Sequence, residues 1–111
     1  MDKVQIISSN SSLLAIQCSN LSNEIFGLSY HQFSFFNDPD RIKLLAINDS
    51  KLIGFLVAKK IKLYQIEIES IGIDKRWQRN TIGTQLMKRF IDTYCNPVSY
   101  THLTLPTILL V

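Results

Sequence analysis

Apolar residues follow two different periods in the first part of the chain, and these periods predict a strand followed by helices. Residues 3–7 alternate weakly between apolar and polar, which predicts a short strand. From residue 13 to residue 26, apolar side chains recur with the spacing of one helical face until Gly27 interrupts them, so we expect a helix there. The aromatic-rich segment of residues 28–36 fits a short second helix and an aromatic loop equally well.

The middle of the chain predicts three antiparallel strands. Two apolar runs, residues 42–47 and 52–61, flank residues 48–51, whose Asn and Asp tolerate the backbone conformations of a hairpin turn. Along residues 63–73 the apolar positions alternate as far as Ser70 and then continue on the opposite phase. A β-bulge would produce this shift and would open the local backbone pairing, and a strand end buried on both faces explains it equally well.

A basic loop and a clear helix follow the third of these strands. Apolar residues at four-residue steps predict a helix that begins at Thr81 and ends at Asn96 and Pro97: Ile82, Leu86, Phe90 and Tyr94. This order of elements predicts an α+β (mixed α/β) domain, in which helices pack on an antiparallel-rich sheet.

Composition excludes several classes of protein. The 111 residues suffice for one small domain, and 46% hydrophobic with 19% charged residues is typical of folded globular proteins. The net charge of +3 is too small and too dispersed to indicate a nucleic-acid partner. The longest apolar stretch, residues 52–58, is far shorter than the roughly 20 residues of a membrane span. The N-terminus does not resemble a signal peptide, so we expect a cytoplasmic protein with no membrane partner.

The two cysteines, Cys18 and Cys95, lie far apart without a CxxC motif or a nearby histidine pair. This pattern predicts neither a disulfide framework nor a metal site, so we expect two reduced thiols and no metal. Cys95 has no neighbouring base and is a poor candidate for a nucleophile.

The candidate chemistry lies in residues 71–84, which place a strand, a basic loop and a helix start in immediate succession. The first turn of a helix has unpaired N–H donors and the positive end of the helix dipole, and Gly83 has no Cβ to block a phosphate oxygen. Arg79, with Lys75 and Arg76 farther out, adds positive charge that a diphosphate would neutralise. The segment therefore predicts a site for an anionic ligand.

The same segment resembles the signature of the GNAT superfamily of acetyl-CoA-dependent N-acetyltransferases. The family motif Gln/Arg-x-x-Gly-x-Gly/Ala is met by residues 78–83, with Thr81 at a position where the family usually has Gly. Residues 71–77 resemble the family's bulged fourth strand, and the elements of residues 3–95 follow the family's order. Residues 21–36 and the hairpin are most similar to those of the ribosomal-protein alanine N-acetyltransferases.

This resemblance implies transfer of an acetyl group from acetyl-CoA, the co-substrate, to a primary amine such as a protein N-terminus or a small amine. Backbone groups of residues 71–73 would pair with the pantetheine arm, and amides of residues 79–84 would hold the pyrophosphate. The complete set of expected cofactor-binding residues is Ile71, Gly72, Ile73, Gln78, Arg79, Asn80, Thr81, Ile82, Gly83 and Thr84.

The resemblance also implies a catalytic base. Glu67 falls where several family members place a general base on the fourth strand, on the same face as Glu69. A carboxylate there would take a proton from an ammonium substrate before the amine attacks the thioester. A solvated strand face is the alternative explanation for both glutamates. A non-catalytic CoA- or phosphate-binding module and a small α+β interaction domain are the alternative functions.

The end of the chain differs in composition from the rest. Residues 98–111 contain no Asp, Glu, Lys or Arg, and residues 98–107 resemble the translation of a sequencing adapter. We therefore expect an incomplete acetyltransferase domain over residues 1–97 and a non-native tail from Val98 onward. Such a fragment would be inactive, because it would lack the family's later strands and the tyrosine that protonates the departing thiolate. A native apolar strand over residues 100–105 is the alternative.

Overall fold

The computed structural model describes residues 4–27, 32–63, 65–95 and 102–104, which form one five-stranded sheet with helices on both faces. The strands occur in the order β1-β2-β3-β4-β5; the first four are antiparallel, and β5 is parallel to β4. The elements are β1 (Val4–Ser8), α1 (Ser12–Phe26), α2 (Phe33–Phe36), β2 (Arg41–Asn48), β3 (Lys51–Lys62), β4 (Gln65–Ile73), a 3-10 turn (Lys75–Trp77), α3 (Ile82–Tyr94) and β5 (His102–Thr104). The predicted α+β class is confirmed.

Helix α1 begins and ends where the sequence pattern predicts. Its N-cap is Ser11, whose hydroxyl accepts a hydrogen bond from the amide of Leu14 (3.5 Å). Gly27 ends the helix with φ of 99°, and its amide donates to the carbonyl of Asn23 (3.1 Å). The last part of the aromatic segment forms the short helix α2, and residues 28–31 lie outside the described residues.

The predicted hairpin is formed by β2 and β3, which a two-residue turn joins. Both turn residues, Asp49 (φ 50°) and Ser50 (φ 65°), have left-handed backbones. Turns of this kind match the right-handed twist of the flanking strands, which is why they occur in tight hairpins.

The sheet is buried on both faces, which explains the continuous apolar run in β3. On one face, α3 contributes Leu86 and Phe90 to a core layer with the isoleucines of β4. On the other face, α1 and α2 cover Phe55, whose ring meets that of Phe36 edge to face at 5.0 Å.

A β-bulge interrupts the pairing of β3 with β4. Val57 lies opposite Ser70 and Ala58 lies opposite Ile68, so Glu69 is the extra residue. The bulge places four isoleucines in the same core layer, two before it and two after it: Ile66, Ile68, Ile71 and Ile73. The bulge interpretation is therefore confirmed, and the strand end from Ser70 to Ile73 is also buried.

The predicted tail is described only at its centre. Residues 102–104 form β5 and pair with Gln65, Ile66 and Glu67. Residues 98–101 and 105–111 lie outside the described residues, so the domain boundary at residue 97 and the non-native tail stay predictions.

Gly72 provides a test of the packing around the bulge. A Cβ atom at this position would lie 2.6 Å from Cζ of the buried Phe55 ring, well inside van der Waals contact. We expect Gly72→Ala to lower the free energy of unfolding by about 1–3 kcal/mol, because the ring has no space to move away. In a Phe55→Leu background, which shortens the side chain, the added cost of Gly72→Ala should fall. Urea denaturation of the four proteins measures both costs, and equal costs in the two backgrounds would contradict this packing.

Candidate active site

One edge of β4 is only partly paired. Strand β5 pairs with Gln65, Ile66 and Glu67, and beyond Glu67 no strand of the described residues pairs with this edge. The opposite edge pairs with β3 as far as Ile73, which lies opposite Gly54. Because successive residues of a strand direct their backbone groups to opposite edges, some N–H and C=O groups of residues 68–73 point toward the open side. Residues 71–73, predicted to contact the pantetheine arm, lie in this open stretch.

The loop after β4 is held by its own hydrogen bonds. The amide of Asp74 donates to the carbonyl of Ile53 (2.8 Å), and its carboxylate accepts from the amide of Arg76 (2.9 Å). Burial raises the pKa of Asp74, but the backbone and side-chain hydrogen bonds and the charge of Arg76 outweigh this effect and hold the pKa below its ordinary value. The amide side chain of Gln78 donates to the carbonyl of Ile73 (3.1 Å), so this residue of the motif ties the loop to the strand.

The first turn of α3 contains backbone donors without a hydrogen-bond partner among the described residues, at the buried Ile82 and Gly83 and at the exposed Thr84. The N-cap residue, Thr81, makes no capping hydrogen bond, and its hydroxyl instead accepts from the side chain of Gln85 (3.1 Å). Within the described part of the chain, no other side chain accepts from the amides of residues 82–84. These amides and the positive end of the helix dipole are the elements of an anion-binding site.

The loop before α3 contains two strained residues. Arg79 has φ of 69° and Thr81 has φ of 64°, which is the left-handed region that favours glycine. Thr81 is β-branched and occupies the motif position at which the family usually has Gly. The backbone therefore keeps the conformation that glycine would adopt without strain, although the side chain differs.

An open cleft lies beside the helix start. Its volume is about 380 Å³ and its lining includes two residues of the expected cofactor-binding set, Asn80 and Ile82. The other lining residues are Val4, Arg76, Trp77 and Gln85. The cleft therefore joins the 3-10 turn, the loop and the start of α3 with Val4 of β1, and no residue of β4 belongs to its lining. The strand end meets the loop and the helix start through the hydrogen bond from Gln78 to Ile73 and through the packing of Ile73 and Ile82 in one core layer.

The two glutamates of β4 have different surroundings. Glu69 forms an ion pair with Arg41, in which Nε of Arg41 lies 2.8 Å from Oε1 of Glu69. Glu67 is half-buried and lies opposite Lys59 on the face that α1 and α2 cover, and among the described residues its carboxylate has no ion-pair or hydrogen-bond partner. Glu67 is also the last residue of β4 that pairs with β5, so it lies where the two strands separate.

Sequence reasoning missed Arg41, which contacts β4, α2 and the loop that joins α2 to β2. Its side chain pairs with Glu69 and with Asp38, where Nη1 of Arg41 lies 2.7 Å from Oδ2 of Asp38. Its Cζ atom also lies 4.5 Å from the centroid of the Phe35 ring. No local pattern marks such a residue, because ion pairs across a sheet have no sequence period.

Neither cysteine has the lowered pKa of an activated nucleophile. Burial raises the pKa of Cys18 to about 12 and also raises that of Cys95, so both free thiols are protonated at neutral pH. Across residues 4–27, 32–63, 65–95 and 102–104, no group of three or more His, Cys, Asp or Glu side chains is placed to hold a metal ion. None of the helices in these ranges is long and apolar enough to span a membrane.

Comparisons with known proteins agree with this geometry. Residues 12–107 match the model of the acetyltransferase (GNAT) family. No curated protein sequence matches the chain.

Several solved structures share the fold. An aminoglycoside acetyltransferase, meta-AAC0020, from an uncultured soil metagenomic sample and in complex with sisomicin, is 18% identical with a TM-score of 0.77, covering 96% of this chain and 78% of that chain. A ribosomal-protein-alanine N-acetyltransferase from Brucella melitensis biovar Abortus 2308 is 14% identical with a TM-score of 0.70, covering 97% and 81%. An aminoglycoside 6'-N-acetyltransferase complexed with coenzyme A is 21% identical with a TM-score of 0.69, covering 81% and 53%.

Thr81 provides a test of the strained loop. We expect Thr81→Gly to raise the free energy of unfolding by about 1 kcal/mol, because glycine adopts a left-handed backbone without a Cβ clash. Ser50→Gly is the matched control, since Ser50 has nearly the same φ of 65° and lies in the β2–β3 turn. Lys88→Gly, at an exposed position in the middle of α3, should instead lower stability by roughly 0.5–1 kcal/mol. Thermal and urea unfolding give the three values, and a loss of stability on Thr81→Gly would be incompatible with the left-handed backbone.

Proposed function

Because the chain belongs to the acetyltransferase (GNAT) family, we propose that it binds acetyl-CoA and transfers the acetyl group to a primary amine. The observation that carries this proposal is the open edge of β4, which leads directly into the uncapped start of α3. One feature offers backbone partners for an extended, amide-containing arm, and the other offers donors for a diphosphate. Coenzyme A contains both groups.

The pantetheine arm would add to the sheet as a further strand does. Backbone groups of residues 71–73 would exchange hydrogen bonds with its amides, which is how sheets bind extended peptides. The side chains of Ile71 and Ile73 are buried in the core, so this edge is rigid and needs little ordering on binding. An aminoglycoside 6'-N-acetyltransferase of the same fold is known in complex with coenzyme A.

The pyrophosphate would lie at the start of α3. The free amides of residues 82–84 and the helix dipole favour a negative charge there. Arg79 is exposed in the same loop and adds a charged donor, whereas the guanidinium of Arg76 lies near the carboxylate of Asp74 (3.4 Å). The remaining members of the expected set, Gln78, Asn80 and Thr81, would shape the loop.

Glu67 would act as the general base. Acetyl-CoA supplies an activated thioester, and the chain must supply a neutral amine beside it. Glu67 is the unpaired carboxylate where β4 and β5 separate, whereas the charge of Glu69 is already neutralised by Arg41. Glu67 would accept a proton from the ammonium group, directly or through water, and so free the lone pair for attack on the thioester carbonyl. The acceptor would be a small amine or a protein N-terminus, as the ribosomal-protein-alanine N-acetyltransferase suggests.

A test of the phosphate site uses the first turn of α3. Calorimetry should detect CoA binding by the chain, and Thr84→Glu should weaken it by roughly 10-fold or more, because the carboxylate competes for the same amides and repels the diphosphate. The same substitution should not lower the melting temperature, since an acidic residue in the first turn favours the helix.

Two variants serve as controls for this experiment. Thr93→Glu, exposed near the other end of α3, should leave CoA affinity unchanged. Thr81→Gly should strengthen binding, whereas Ser50→Gly should not. If the unmodified chain produces no heat with CoA, an interaction domain without a phosphate ligand becomes the better explanation.

A test of the base compares Glu67→Gln with the unmodified chain. We expect acetyl transfer to an amine panel to fall about 100-fold, because the loss of a general base typically costs 10²–10⁴ in rate, while the Kd for CoA stays the same. Glu24→Gln, on an exposed part of α1, is the control and should change neither value. Mass spectrometry of the acceptors measures the transfer. CoA binding without transfer by the unmodified chain would contradict the proposed transfer, and it would agree with both a non-catalytic module and the expected inactive fragment.

A further inference from the structure

We infer that Arg41 is a positioning residue. It holds the bulge of β4 and so fixes the position of the open edge of β4, residues 71–73, relative to Glu67. This inference rests on the proposed function of that edge. It concerns the face of the sheet that α1 and α2 cover, where Arg41 of β2 reaches across β3 to Glu69 of β4.

The guanidinium of Arg41 is held from three sides. Its Nε lies 2.8 Å from Oε1 of Glu69, and its Nη1 lies 2.7 Å from Oδ2 of Asp38. Its central carbon, Cζ, lies over the ring of Phe35, 4.5 Å from the ring centroid. The three charged side chains are 20–28% exposed, so water screens these pairs only in part. A planar fork held in this way has one orientation, which a lysine would not reproduce.

The core restricts where the extra residue of β4 can lie. Ile68 and Ile71 both belong to the layer under α3, so the phase must change between them, at Glu69 or at Ser70. Both positions satisfy the core equally, because either one corrects the facing of the isoleucines.

The ion pair with Arg41 holds the extra residue, Glu69, where the structure places it. With the bulge at Glu69, the carboxylate meets Arg41 and the small Ser70 side chain is buried. Breaking this ion pair would leave the carboxylate of Glu69 without a partner in a half-buried position. Such a loss is costly because an unpaired charge is poorly solvated there.

The bulge lies between the two parts of the candidate active site. Glu67 precedes it, and the open residues 71–73 follow it, so the backbone at Glu69 and Ser70 sets their relative direction. Misplacing reacting groups by a fraction of their contact distance lowers rates strongly. Arg41 therefore acts through Glu69 and needs no contact with substrate.

The test compares Arg41→Gln, Glu69→Gln and the double variant with the unmodified chain. In ligand-free protein, hydrogen exchange of the protected amides in residues 70–73 should become at least about 10-fold faster in all three variants, with protection in β1 and β2 unchanged. The Kd for CoA should rise by roughly 10-fold in each single variant and no further in the double variant, because the two residues act as a unit.

Asp38→Asn is the matched control. It breaks the other ion pair of Arg41 but leaves the contact with Glu69, so exchange in residues 70–73 and the Kd for CoA should both stay unchanged. The inference is overturned if exchange in residues 70–73 does not respond to Arg41→Gln, or if Asp38→Asn and Arg41→Gln have equal effects, which would indicate general stabilisation. Failure of the unmodified chain to bind CoA would overturn the proposed function, and the exchange measurement alone would then decide whether Arg41 holds the bulge.

Discussion

A single extra residue in β4 is the constraint on which the fold and the candidate site both depend. Side chains of an unbroken strand alternate between the two faces, so Ile66, Ile68, Ile71 and Ile73 could not all enter one core layer without a change of phase. Full burial of each isoleucine is worth roughly 1.5–3 kcal/mol. This gain offsets the pairing that is lost at Glu69, and the core therefore requires the irregularity that the chemistry would use.

The same constraint explains how an ordered core and an accessible backbone coexist in so small a domain. On one side, β4 is held by β3 over most of its length. On the other side, β5 ends its pairing at Glu67, and no strand of the described residues pairs with the rest of the edge. Strand β4 thus combines side chains packed rigidly in the core with backbone groups that no strand of the described residues pairs. This combination preorganises the candidate site.

The features that depend on burial patterns could be predicted from the sequence. The helix α3, the β2–β3 hairpin and the phase change near Ser70 all follow from apolar spacing, because each core contact leaves a mark on the local period. The resemblance to the GNAT family was carried by residues 78–83, and it located the strand, loop and helix start that the structure brings together. The confirmed fold and family therefore rest on local signals.

Tertiary contacts between distant residues could not be predicted in the same way. Arg41 and Glu69 are 28 positions apart, and neither lies in a pattern that names the other. Gly72 was assigned from the resemblance to the cofactor edge, and only the structure shows that the ring of Phe55 also requires a residue without a side chain there. The left-handed backbone of Thr81 likewise depends on how the loop joins strand and helix.

The backbone of Thr81 also limits how this loop can evolve. Threonine and glycine codons differ at their first two bases, so glycine cannot be reached from threonine by a single nucleotide change. The intermediate codons encode alanine, serine or arginine, and each of these retains a Cβ at a φ of 64°. A lineage with threonine at position 81 therefore needs two nucleotide changes to reach glycine, and the first change relieves little of the backbone strain. This requirement helps the strained residue to persist.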